Sequence, residues 1–64
     1  MNLFAMSVIY DLEAMEAAYG TRPATTYRAE MHELLIMLHG ELAEFPEYIA
    51  EYTHHYNRYV KLYA

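Results

Sequence analysis

Between Tyr27 and Phe45 the apolar residues Tyr27, Met31, Leu34, Leu35, Leu38, Leu42 and Phe45 recur at helical spacing. On a wheel of about 100° per residue they share an arc about 100° wide. Leucine and methionine favour helix, and no β-branched cluster argues for a strand. The pattern predicts a central helix near residues 24–44 with that arc as its core face. Ile36 and Met37 fall outside the arc, so the helix carries more apolar surface than one intramolecular core uses. Gly40 costs about 1 kcal/mol in a helix interior. Because Leu42 and Phe45 keep the earlier period, the helix is expected to continue to Ala43 or Glu44, with Gly40 as a C-cap the competing ending.

Upstream, Phe4, Val8, Leu12, Met15 and Tyr19 recur at steps of four, four, three and four, with no glycine or proline from Leu3 to Tyr19. This predicts a helix near residues 3–19, ended by Gly20 as a left-handed cap. Leu3, Met6, Tyr10, Ala14 and Ala17 form a second apolar stripe on its far side, so the helix is expected to be covered on two sides. Thr21, Thr25 and Thr26 are candidate caps for the next helix, and Pro23 suits its first turn.

Pro46 breaks the chain again, and a third helix is predicted near residues 47–63. Its apolar arc holds Tyr48, Ile49, Tyr52, Tyr56, Tyr59, Val60 and Tyr63, opposite Glu47, Glu51, His54, Asn57, Arg58 and Lys61. Acid leads and base trails along this helix, which suits its macrodipole. Helix 1 has Asp11, Glu13 and Glu16 in its C-terminal half, so an up-down-up arrangement would bring Arg58 and Lys61 towards Glu13 and Glu16. Residues 1–64 are therefore expected to form one all-α domain. It is a small three-helix bundle, or a helical hairpin with a kinked second arm, completed by dimerisation.

Composition sharpens this picture. A chain of 64 residues buries only about 60% of its unfolded surface. With no cysteine it has neither disulfides nor thiolate metal sites to help. It is 56% hydrophobic, with eight tyrosines and five methionines, which is too apolar for disorder. A homodimer is the expected supplement, with Leu3, Met6, Tyr10, Ile36 and Met37 as candidate interface residues. The net charge of −5 disfavours nucleic-acid binding. The uncharged start, Met1 to Tyr10, has neither the basic flank of a signal peptide nor the length of a membrane span, so a cytoplasmic protein without membrane contact is expected.

Candidate chemistry is sparse. His32-Glu33 begins like the zinc-protease motif His-Glu-x-x-His, but Ile36 stands where the second histidine belongs. His32 and His39 lie about 10 Å apart by helical rise, too far to share a metal unaided, and read as a solvated flank. Glu51 and His54 have the Glu-x-x-His spacing of ferritin-like di-iron proteins, for which Glu16, Glu30 or Glu33 could supply a further ligand. Both lie on the polar side of helix 3, so a solvent-facing pair is preferred and no metal or other cofactor is assigned. No nucleophile stands beside a base and no glycine-rich phosphate loop is present, so no catalytic residues are expected.

What remains is surface. Tyrosines on one helix face suit a boundary better than an interior, because each buried hydroxyl needs a partner. Glu30, Glu33, Glu41 and Glu44 share one side of helix 2, with Glu47 and Glu51 beyond the proline. The expectation is a protein-binding surface made by Glu41, Glu44, Glu51, Tyr52, Tyr56 and Tyr59, suited to a partner with a basic surface. Size, acidity and surplus apolar area match the type of small phage or mobile-element inhibitors, such as anti-CRISPR or anti-activator proteins. A ferritin-like carboxylate and histidine metal-binding dimer, or a self-associating structural subunit, are the alternatives.

Overall fold

The computed structural model describes residues 2–18 and 24–63. Three α-helices, α1 (Leu3–Ala18), α2 (Ala24–Glu41) and α3 (Ile49–Tyr63), pack together, with a 3-10 turn at Pro46–Tyr48 leading into α3. No strand occurs among the described residues, and no helix is long and apolar enough to cross a membrane. The expected caps at Gly20 and Thr21, the Pro23 turn and the core role of Tyr19 lie outside the described residues.

The direction of each helix is fixed by a few contacts. Asn2 caps α1 by accepting the Ala5 N–H at 3.1 Å, while its own amide donates to Glu41 Oε1 at 2.9 Å. The start of α1 therefore sits beside the end of α2. Ring contacts between His32 and Tyr59 and between His39 and Tyr52 run α3 back along α2. Arg58 meets Glu16, so the later part of α3 lies beside the end of α1, the up-down-up order that the charges favoured.

The core is built from Ala5, Val8 and Leu12 of α1 and from Tyr27, Met31, Leu35 and Leu38 of α2, all buried. Ile9, Met15, Ala18 and Leu34 pack partly against it, as do Tyr48, Tyr52, Tyr59 and Tyr63. The expected face of α2 is thus the observed one. In α1 Val8 and Leu12 of the expected stripe are buried and Met15 is half-buried, but Ala5 and Glu16 complete the buried row and Phe4 is 51% exposed. Ala5 holds the inner position, and Phe4, about 100° away around the helix, is carried outward. In α3, Ile49, Tyr56 and Val60 are exposed although they share the apolar arc, and His55 is buried.

The helix ends differ from expectation near Gly40. α2 stops at Glu41, and Thr25 and Thr26 lie inside it instead of capping it. The Leu42 N–H donates to the His39 carbonyl at 3.1 Å, a tightened last turn, and the Phe45 N–H donates to the Glu41 carbonyl at 2.8 Å. Phe45, with φ −126° and ψ 70°, is outside the α region because it precedes Pro46. The helix therefore unwinds before the proline, leaving Leu42 and Phe45 half-buried. Gly40 has negative φ and is not a left-handed cap.

Candidate functional site

Stepping four residues from Leu12 along the buried row of α1 reaches Glu16. From the 3-10 turn into α3 the inward row runs Tyr48, Tyr52, His55, Tyr59, at steps of four, three and four. Two polar residues thus occupy core positions on facing helices, and they pair. His55 is 3% and Glu16 7% exposed, and His55 Nδ1 lies 2.6 Å from Glu16 Oε2. A carboxylate only accepts, so Nδ1 carries the proton and donates. The other carboxylate oxygen, Oε1, is held by Arg58 Nε at 3.3 Å, with Arg58 46% exposed and reaching in from solvent. Both oxygens of a buried carboxylate are therefore satisfied from α3, as burial of a charge requires.

His54 stands next to this pair on the solvent side, its ring edge-on to that of His55 with centroids 5.0 Å apart. Glu16, His54 and His55 each offer one ligand atom, and these atoms lie within 4.8 Å of one another. They line an open cavity of about 310 Å³ together with Glu13, Ala17 and Arg58.

A second arrangement covers the α2–α3 face. His32 stacks on Tyr59 with centroids 5.9 Å apart and His39 tilts against Tyr52 at 5.2 Å. Tyr52 stacks on Tyr56 at 5.8 Å, and Tyr59 meets Tyr63 at 5.3 Å. This antiparallel register places exposed Ile36, midway between His32 and His39, level with exposed Tyr56. The result is a strip of imidazole, phenol and aliphatic groups whose flat faces give contact area at low entropic cost. Further along it Thr25, Arg28, Ala29, His32 and Tyr59 line an open cavity of about 460 Å³.

The carboxylates are segregated from that strip. Asp11, Glu30 and Glu33 rim a groove between α1 and α2, floored by Ala14, Met15 and Leu34. Glu13 and Glu51 rim another between α1 and α3, with Met6, Ile9, Tyr10 and Tyr48. Of the residues expected to form one binding surface, Tyr52, Tyr56 and Tyr59 come together. Glu51 faces the α1 side, Glu41 is engaged by Asn2, and Glu44 is exposed in the turn after α2. All five residues of the expected dimer interface are exposed: Leu3 at 71%, Tyr10 at 69%, Met6, Ile36 and Met37. Met6 and Tyr10 share the α1–α3 groove, and Leu3 has nearly the azimuth of Tyr10, seven residues on. Met37 continues the α1-facing flank of Glu33 and Leu34, and Ile36 the α3-facing flank of Ala29 and His32.

No family model, curated protein or solved structure matches the chain.

Sequence reasoning anticipated that Arg58 would approach Glu16 but assigned no role to His55 or Asn2. The signal for His55 was its place three residues after Tyr52 and four before Tyr59. For Asn2 it was an asparagine immediately before a periodic apolar run. Glu51 and His54, one turn apart on α3, line different cavities, and His54 joins Glu16 and His55 instead.

Proposed function

We propose that this chain is a non-enzymatic protein–protein interaction module, a homodimer that binds a larger protein and thereby inhibits or tunes it. The observation that carries this reading is the distribution of apolar side chains. Among the described residues nine large ones are exposed, whereas the buried apolar core has seven members, one of them only alanine. A monomer working alone rarely leaves so much apolar surface in contiguous rows. Leu3, Met6 and Tyr10 along the outside of α1 are the self-association surface, because they make the most exposed apolar row. The α2–α3 strip of Ile36, Tyr52, Tyr56 and Tyr59 is the surface for the larger partner. Glu30, Glu33, Glu44 and Glu51 on neighbouring faces, with the net charge of −5, steer a basic partner towards it.

The experiment is affinity capture of the partner from the native host, followed by association and dissociation kinetics with folded variants. Tyr56→Ala is expected to speed dissociation at least tenfold. Glu51→Lys is expected to slow association and flatten its salt dependence, with little effect on dissociation. Unchanged kinetics in both variants would refute the reading.

A further inference from the structure

Glu16 and His55, 39 residues apart in sequence, meet from α1 and α3, and His54 stands beside them with its ring open to solvent. We propose that Glu16, His54 and His55 form a binding site for a divalent transition-metal ion of the zinc, cobalt or nickel class, which fastens α3 to α1.

Two imidazoles and one carboxylate suit borderline metals such as zinc, cobalt and nickel, whereas magnesium and calcium prefer oxygen donors alone. Around a tetrahedral zinc with bonds of about 2.0–2.1 Å, donors sit roughly 3.3 Å apart. The three ligand atoms here lie within 4.8 Å, and the exposed His54 ring can close that gap by turning, without moving either helix. As the ion takes the place of the proton between them, His55 Nδ1 and Glu16 Oε2, now 2.6 Å apart, open to roughly 3.3 Å by side-chain rotation. The imidazole proton moves to Nε2, which leaves the Nδ1 lone pair free to ligate. Arg58 stays on Glu16 Oε1 as an outer partner that orients the ligating carboxylate. The fourth position opens into the cavity of about 310 Å³ that Glu13 also lines, where water completes the coordination. A chain of this length without cysteine lacks the usual staples, and a metal bridging α1 and α3 provides one.

The test uses the full chain without a histidine tag and Zn²⁺ or Co²⁺ as the probe. Calorimetry is expected to show one ion per chain at low micromolar affinity, and Co²⁺ to give the visible absorption of a tetrahedral or five-coordinate centre. Zinc at about 100 times its dissociation constant should raise Tm by on the order of 10 °C. His54→Ala, at an exposed position, should keep helicity and weaken binding at least tenfold. Glu16→Gln should do likewise, while Glu51→Gln, His32→Ala and His39→Ala should bind as the parent does. No binding at 100 micromolar ion, parental affinity in His54→Ala, or loss of binding in Glu51→Gln would each overturn the assignment.

Discussion

The core that joins α1 and α2 is made by Ala5, Val8, Leu12, Met31, Leu35 and Leu38, with Tyr27, all buried. α3 and the turn before it meet that pair through the half-buried rings of Tyr48, Tyr52, Tyr59 and Tyr63 and through one buried side chain, His55. Each fully buried leucine or methionine contributes about 1.5–3 kcal/mol, non-directionally. The α3 contacts depend instead on ring geometry and on a hydrogen-bonded charge, which lose most of their value if one partner is removed. Meanwhile Ile49, Tyr56 and Val60 of α3 point to solvent. Two helices thus hold the fold, and the third is docked by specific contacts while presenting apolar groups outward.

The sharpest way to break this contrast is on the aliphatic side. Leu12→Ala removes a fully buried side chain and should cost about 2–5 kcal/mol. At about 4–8 °C per kcal/mol for a domain of this size, thermal unfolding should shift by tens of degrees or disappear. Next in size, Glu16→Ala leaves the buried His55 N–H without its acceptor, a loss of about 1–3 kcal/mol. Its signature should be local. Amide hydrogen exchange should speed up along α3 more than along α1 or α2, whereas uniform acceleration would place Glu16 in the common core.

Smaller effects sharpen the picture at the edges. Gly40 has negative φ, and a Cβ added there would meet nothing within 4 Å. Gly40→Ala should therefore stabilise the chain by about 0.5–1 kcal/mol, read as a rise in Tm. Tyr63 marks the far end of the α3 seam. Its hydroxyl is buried with no hydrogen-bond partner among the described residues, and burial, helped by Tyr59 and Tyr27, raises its pKa above the ordinary 10.0. The folded chain then keeps a proton that the unfolded chain has lost. Its contribution to stability is intact below pH 10 and falls as pH rises further. Tyr63→Phe should remove a late step from the phenolate absorbance titration.

The same contrast explains which features could be read from the sequence. In α2 apolar residues dominate one arc, so Tyr27, Met31, Leu35 and Leu38 were assigned correctly to the core. α1 is apolar on two sides, so the periodicity constrained its rotation poorly. Phe4 was placed inside, whereas Ala5 and Glu16 are the residues that face inward. In α3, choosing by apolarity selected Ile49 and Val60 over His55, while the inward row Tyr48, Tyr52, His55, Tyr59 follows the helical register. The partner that makes His55 acceptable there is Glu16, 39 residues away, and no local pattern encodes that meeting. The unwinding after Glu41 was hidden for a related reason. Leu42 and Phe45 keep helical spacing, and the conformational restriction from Pro46 reaches back over residues whose own propensities favour helix.

The central claim is that the apolar rows left outside this small bundle serve association. Sedimentation equilibrium of the full chain at micromolar concentration, beside Leu3→Glu and Tyr10→Glu, tests it most directly. The account predicts a parent mass twice the 7.6 kDa of one chain, and a shift towards monomer in both variants with helicity unchanged. A fully helical monomer for the parent across the micromolar range would contradict it.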